Sequence, residues 1–310
     1  MAEGIAAVDG LALINGESGT LKTCDMASFE SHVRSEFEKA GHTVSIIRTD
    51  QTGMEDALEQ ARASQAELLI AAGGDGTVSA LAELAWRSNR VLGVLPGGTM
   101  NLYASTLGSP ADIFEAVSAL ALGKEVSADI ATANGEPFIN QYSVGFHPRA
   151  VKLRNKMDYA SRLGKITATL RAMFSVITDP PSFPARFKAD SSEPRTERIT
   201  ALSVSNNLLG TGHKLFADTY NGHCLGVYRT PKVNPLEAVK LILDLIVGTW
   251  AENENVTIEE TQQLSVSFPR KRKSSSALKD GELVDLPSRV DFKIEKDALR
   301  VLLPRPGVPQ

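Results

Sequence analysis

"ELLIAAGGDGTVSALAEL", residues 67–84, is the stretch whose reading decides the fold. Leu68 to Ala72 form an unbroken apolar run, a buried strand. Apolar residues at helical spacing follow from Val78 onward. Between the two stands Gly73-Gly74-Asp75-Gly76-Thr77. Glycines at such a junction let the backbone turn tightly and bring N–H groups close to an anion at the helix N-terminus, and phosphate is the natural guest. A mere tight turn between strand and helix is the competing reading. No Gly-Lys-Ser/Thr follows, so this is not a Walker loop, and the G-x-G-x-x-G spacing of a dinucleotide fold is absent.

The same rhythm extends in both directions. "LALIN" reads as a strand, and Phe29, Val33 and Phe37 fall on one helical face that Gly41 closes. "TVSIIRTD" is strand-like, "MEDALEQARAS" helical and "VLGVLPGG" strand-like again. Ser109-Pro110 offers an N-cap and a first-turn proline for "ADIFEAVSALAL", with Gly123 as its stop. A βαβ series of this kind implies a mostly parallel sheet covered by helices. Near residue 128 the rhythm changes. "ITALSVSNN", "LGVYRT", "VTIEE", "LSVSF", "RVDFKIEKD" and "ALRVLLP" are strands with little helix between them, a β-sandwich pattern. Two helical segments interrupt it, "YASRLGKITATLRAMFSVIT" and "NPLEAVKLILDLIVGTW", whose mixed apolar faces favour core packing over lipid contact. Two domains are therefore expected, an α/β domain over 1–128 and a β-rich domain over 129–310.

Composition sets outer limits. The chain has 310 residues, 42% hydrophobic, with 33 basic and 37 acidic residues for a formal charge of -4. That balance gives no electrostatic reason to expect nucleic acid. Cys24 and Cys224 lie far apart and form no metal or redox spacing, as for reduced thiols of a cytoplasmic protein. "MAEGIAAVDG" has acidic residues where a signal peptide needs basic ones. The most apolar block, "LILDLIVGTW", is broken by Asp244 and too short to span a bilayer. A soluble protein that can still touch a membrane surface is expected.

A second glycine turn, "VLGVLPGGTMNLYAS", repeats the first: a strand ends in Pro96-Gly97-Gly98-Thr99 and a helix begins near Asn101. Two such turns at the carboxyl ends of neighbouring strands form one cleft, where open α/β sheets bind ligands. Asn15, Ser18 and Gly19 of "LINGESGT" can supply its third wall.

"GGDGT", "PGGTMN" and "LKDGELVDL", in that order, together with "FINQYSVGF", "NNLLGTGHKLFADTYNG" and the closing "ALRVLLP", resemble the diacylglycerol kinase catalytic-domain family, which includes sphingosine and ceramide kinases and soluble bacterial lipid kinases. The resemblance runs from about Ala12 to Pro304. It implies an NAD kinase-like α/β N-terminal domain, a C-terminal β-sandwich, and an ATP-dependent, Mg²⁺-requiring kinase that phosphorylates a lipid alcohol at a membrane surface, in the cytoplasm or peripherally at the inner membrane face. By the same resemblance Asn15, Ser18, Thr49, Gly73, Gly74, Asp75, Gly76, Thr77, Gly97, Gly98, Thr99 and Asn101 surround ATP. Asp75, a carboxylate beside phosphates, acts through Mg²⁺ or else stabilises its own turn. Asp280, in "KDGE", is the general base, with Asp75 the competing candidate, and Glu282 orients metal or nucleotide. From sequence alone Asp280-Gly281 reads more often as a hairpin turn, a preference that its co-occurrence with the other two motifs reverses.

Two positions depart from the family pattern. Leu102 stands where many relatives have Asp, and Asn221-Gly222 stands where members with a structural Mg²⁺ site have Asp-Gly. His147, His213 and His223 show no ligand spacing. The basic run Arg270, Lys271, Arg272 and Lys273 either attracts anionic headgroups or is a charged strand edge. Three other readings stay open: an NAD kinase-like small-molecule kinase, a catalytically silent lipid-binding regulator, and a nucleotide-binding scaffold.

Overall fold

A computed structural model describes residues 7–155, 178, 180–190, 193–269 and 275–305. The chain forms two compact units. The first comprises Met1–Ile130, Asp218–Gly222 and Glu295–Gln310, and the second Ala131–Ala217 and His223–Ile294.

In the first unit β1 (Asp9–Ile14), β2 (Thr43–Arg48), β3 (Leu68–Gly73) and β4 (Val91–Pro96) lie parallel in the order β2-β1-β3-β4. Every residue of β3 and β4 is buried, as strands covered on both faces must be. The crossovers are α1 (Met26–Lys39), the single turn α2 (Thr49–Thr52) with α3 (Met54–Ala63), and α4 (Asp75–Ser88). After β4 come α5 (Leu102–Thr106), α6 (Ile113–Ala121) and β5 (Lys124–Ala133). Phe29, Val33 and Phe37 are fully buried against Ile113, Val117 and Leu120 of α6, so the helical spacing read from sequence is the packing face. One cap differs from the reading: α6 starts at Ile113, capped by Asp112 rather than Ser109. The Asp112 carboxylate accepts the N–H groups of both Phe114 and Glu115, satisfying two of the donors that a helix start leaves open.

The described strand ladders of the second unit are antiparallel. It contains β6 (Glu136–Phe138), β7 (Gln141–Gly145), α7 (Phe146–Asn155), β8 (Phe183–Ala189), β9 (Arg195–Asn206), β10 (Leu225–Pro231), α8 (Pro235–Val247), β11 (Thr257–Thr261), β12 (Gln263–Ser267), β13 (Ser276–Lys279) and β14 (Glu282–Asp285). Phe292 meets Phe138 and Tyr142 edge to face at its core, and those two rings are tilted toward each other, with ring centroids 5.3–6.4 Å apart. The helical pattern at 159–177 and the basic residues 270–273 lie outside the described residues.

The last strand, β15 (Arg289–Leu303), is continuous where the sequence reads as two, with Asp297 at φ 50° marking the break in the pattern. Its first residues pair with β12, while Val301 pairs in parallel with Leu92. Leu299, Val301 and Leu302 are fully buried, and Leu302 belongs to the core of the first unit. The chain end that the sequence assigns to the strand-rich domain therefore packs with the α/β unit. Burial of three apolar side chains outweighs the continuity of the strand pattern.

Candidate active site

The loops at the carboxyl ends of β1, β3 and β4 are built on one another. A Cβ placed on Gly98 would lie 2.4 Å from Gly74 Cα, and one on Gly97 would lie 2.9 Å from Gly73 N and 2.6 Å from Leu21 Cδ1. A Cβ on Gly19 would lie 2.9 Å from the Gly98 carbonyl carbon. The glycines thus make room first for each other's backbone, an approach closer than any side chain allows. Hydrogen bonds then tie the loops. Asn15 Nδ2 donates to Thr77 Oγ1 (3.1 Å), and the Ser18 hydroxyl lies within donating distance of the carbonyls of Asn15 (2.8 Å) and Gly97 (3.0 Å). Thr20 N–H donates to the Gly97 carbonyl (3.0 Å). Gly98 N–H donates to Asn101 Oδ1 (2.8 Å), whose own backbone sits at φ 51° in the left-handed region that asparagine tolerates.

This brings together Asn15, Ser18, Gly73, Gly74, Asp75, Thr77, Gly97, Gly98 and Asn101. Gly76 and Thr99 are the exposed members of the two glycine turns. Thr49 is buried at the start of α2, after the strand that pairs with β1, and its neighbour Asp50 lies against Gly16. Leu21 and Thr20, which also shape the cradle, carry no chemical signature that a sequence reading could pick up.

Gly74 is the open point. Its backbone is extended (φ -82°, ψ 177°), and a Cβ there would meet only Gly98 Cα, at an ordinary 3.6 Å. Gly74 is also the N-cap of α4 and provides no side-chain cap, so the first-turn N–H groups of a 14-residue helix are left to another acceptor. A phosphate oxygen fits that requirement. Asp75 opens α4, and its Oδ1 accepts the Leu102 N–H at 2.7 Å. Burial raises its carboxyl above the usual range, opposed by the N–H groups of Leu102, Asn101 and Tyr103. The residue at the departing position 102 thus meets Asp75 through its backbone. Toward Mg²⁺ the two glycine turns offer one carboxylate, Asp75, the Glu17 of the first loop being paired with Lys22, and this suits an ion carried mainly by phosphate oxygens and water.

In the second unit Asp280-Gly281 is a two-residue hairpin turn, with φ of 47° and 89°, joining β13 to β14. Asp280 is nevertheless buried. Its Oδ1 accepts the N–H groups of Asn140 (2.8 Å) and Gln141 (3.0 Å), and Oδ2 that of Ile139 (3.0 Å). The side chain clamps the start of β7. Glu282 is exposed. Asn221 Oδ1 accepts the Thr219 hydroxyl at 2.8 Å, a local turn contact.

Gln141 connects that clamp to a cavity of about 480 Å³ lined by residues of β7, α7, β9, β10 and α8. Its walls are mostly apolar, with Val144, Leu202, Leu209, Leu241, Ile242 and Trp250 among them. The polar groups include two pairs. Ser203 Oγ donates to Gln141 Oε1 (2.9 Å), and Ser143 Oγ and His147 Nδ1 are 3.2 Å apart. A mostly apolar cavity of a few hundred Å³ with few polar groups is the form that small-ligand sites take. These wall residues come from separate strands and helices: Gln141, Ser143, Val144 and Phe146 fall in "FINQYSVGF" and Leu209 in "NNLLGTGHKLFADTYNG", while most of the others lie in stretches that read only as strand or helix.

A family model of the diacylglycerol kinase catalytic domain matches residues 9–133. A diacylglycerol kinase of Bacillus subtilis (strain 168) is 26% identical over 284 residues, covering 87% of this chain and 92% of that one. A diacylglycerol kinase of Staphylococcus epidermidis is 41% identical over a shorter stretch of 108 residues, 33% of this chain and 34% of that one. A crystal structure of a diacylglycerol kinase from Bacillus anthracis str. Sterne shares the fold, with a TM-score of 0.67 and 16% identity over 95% of this chain and 96% of that one. Residues 9–133 thus match a diacylglycerol kinase catalytic domain, and that domain together with these relatives supports a lipid kinase.

Proposed function

We propose that the protein transfers the γ-phosphoryl group of ATP to the hydroxyl of a lipid alcohol. The observation that carries the lipid half of this reading is the mostly apolar cavity of about 480 Å³, in a chain whose relatives are named diacylglycerol kinases. A phosphoryl acceptor that is small and charged, such as a dinucleotide, has no use for walls of Leu202, Leu241, Ile242 and Trp250.

For the nucleotide half, the amides of Gly74 to Thr77 and of Thr99, with the side chains of Asn15, Ser18 and Thr77, would hold the phosphates, while Gly97 and Gly98, whose N–H groups donate within the loops, would shape the site around them. Phosphoryl transfer asks for positioning and charge neutralisation more than covalent chemistry. Mg²⁺, when bound, would neutralise phosphate charge, and Asp75 is the carboxylate that would hold it, directly or through water. Asp280 is the proposed acceptor of the lipid hydroxyl proton, held in place by the three N–H groups of residues 139–141. Glu282, beside it on β14, would orient metal or nucleotide. Radiolabelled ATP incubated with diacylglycerol, monoacylglycerol, ceramide and a sphingoid base in turn should label one lipid strongly. ATP hydrolysis indifferent to every lipid would overturn the reading.

A further inference from the structure

α8 has two apolar faces. Ala238, Leu241, Ile242 and Leu245 face inward and line the cavity. Leu236, Val239, Leu243 and Ile246 recur at alternating spacings of three and four residues, joined by Val247, and so form a second stripe on the same helix. Among the described residues this stripe is exposed: Leu236 is 81% exposed, Ile246 64%, Val247 63%, Leu243 54% and Val239 39%. Leu245 belongs to both surroundings, lining the cavity while 43% exposed. Scattered exposed apolar residues need no explanation, but five on one side of one helix form a contiguous patch.

The helix's three charges are engaged locally. Glu237 closes a capping box with Asn234, Lys240 pairs with Glu254 (3.0 Å), and Asp244 accepts from Asn253 Nδ2 and Thr249 Oγ1. None belongs to the outer stripe. Size argues against a second copy as the occupant. Thirteen residues make a helix about 20 Å long and one helix wide, roughly 200 Å² of contact face. Stable protein interfaces bury about 800 Å² on each partner. An interfacial helix in a bilayer needs no such area, because its apolar face is immersed rather than matched.

We propose that the outer face of α8 docks the protein on a phospholipid bilayer, with Leu236, Leu243, Ile246 and Val247 in the boundary between headgroups and acyl chains. The choice of a bilayer over another apolar partner rests on the lipid-kinase reading, since the helix that meets the membrane is then also the wall of the cavity that takes the lipid. Attachment is through apolar burial, so it requires no anionic lipid and withstands salt.

The test uses the full chain, without ATP, floated with phosphatidylcholine vesicles and with vesicles containing phosphatidylglycerol. The parent should bind both at 0.5 M salt. The triple variant Leu236→Ser, Ile246→Ser, Val247→Ser, none of which lines the cavity, should melt like the parent yet lose vesicle partitioning on the order of 100-fold. A second variant, Leu236→Trp, should show a blue shift of its added emission when neutral vesicles are present. Equal flotation of parent and triple variant, binding abolished by salt, or a parent dimer that the triple variant turns into monomer would each overturn the proposal. Activity separates this proposal from the assignment beneath it. On a short-chain diacylglycerol dispersed as monomers, parent and triple variant should be equally active, while on vesicle-embedded lipid the variant should fall behind. Docking that depends on α8, with no lipid phosphorylated in either form, would support the surface and sink the kinase reading.

Discussion

Two glycines that touch across the phosphate cradle should respond oppositely to the same methyl group. In Gly98→Ala the new Cβ would start 2.4 Å from Gly74 Cα and 3.3 Å from Gly74 N, backbone atoms that cannot swing aside. Carbon atoms rest about 3.5–4.0 Å apart, so the two loops must separate by about 1 Å. Overpacking of this kind costs roughly 1–3 kcal/mol, which for a chain of this size lowers Tm by about 2–12 °C. In Gly74→Ala the methyl meets Gly98 Cα at 3.6 Å from a backbone that any residue adopts. The fold then loses only a favourable N-cap, worth less than about 1 kcal/mol. Calorimetry should find Gly98→Ala melting early and Gly74→Ala melting within a few degrees of the parent. Titration with ATP should find Gly74→Val, whose larger side chain stands over the uncapped start of α4, folded but unable to bind. A Gly98→Ala protein with the parent's Tm would refute the packing account, and unchanged ATP affinity in a folded Gly74→Val would refute the cradle.

Three further changes test single side chains. Asp75→Asn keeps an oxygen for the Leu102 N–H but removes a buried charge; because burial raises this carboxyl, its favourable contribution is present below about 3.8 and lost as pH rises, so the ionised group opposes folding at pH 7. Tm should hold or rise while turnover falls and the Mg²⁺ requirement increases, and a fall in Tm would contradict the buried-charge argument. Asp280→Asn turns an NH₂ toward a backbone N–H, which should cost about 1–3 kcal/mol beside a kcat loss of roughly 10²–10⁴-fold; a parent Tm would show that the carboxylate does not hold β7. His42 accepts the Val8 N–H at 3.3 Å, and burial lowers its pKa from 6.5, so its stabilising contribution is complete above that value and lost as pH falls through it. Melting from pH 7.5 down to 5 should fall more steeply for the parent than for His42→Gln, and equal slopes would remove His42 from the account.

The α/β unit was legible because its signals are local. The fully buried residues of β3, the 29-33-37 face and the glycine stops each lie within one element, where periodicity reports directly on burial. The return of β15 was not legible. Nothing in "ALRVLLP" distinguishes a strand that ends one unit from a strand that joins the other; the distinction is made by Leu302 filling the core beside α6, a contact between segments some 180 residues apart. Asp112 displaced Ser109 for a related reason. Both are acceptable caps, and only the helix's actual start decides which side chain reaches two open N–H groups.

The site divides in the same way. Glycine spacing in "GGDGT" and "PGGTMN" marks a place where side chains are excluded, and sequence alone leaves the vacated space to a phosphate or to the turn itself. Most of that space belongs to the neighbouring loop: Gly97 and Gly98 are glycines because Gly73 and Gly74 lie against them. The ligand's share is narrower, the open side of Gly74 and the uncapped first turn of α4. Asp280 carries the same lesson. A hairpin turn and a functional carboxylate are rival readings of "KDGE", yet the left-handed turn is what aims the carboxylate into the backbone of residues 139–141, so the turn is the means of placing it. The cavity wall is scattered along the chain, its residues drawn from β7, α7, β9, β10, α8 and the segments between them, so its apolar character was not legible as one site. Within that wall α8 was visible in the sequence as a helix with mixed apolar faces, read there as favouring core packing over lipid contact. Its inner residues close the cavity, and its outer residues remain for a second apolar phase.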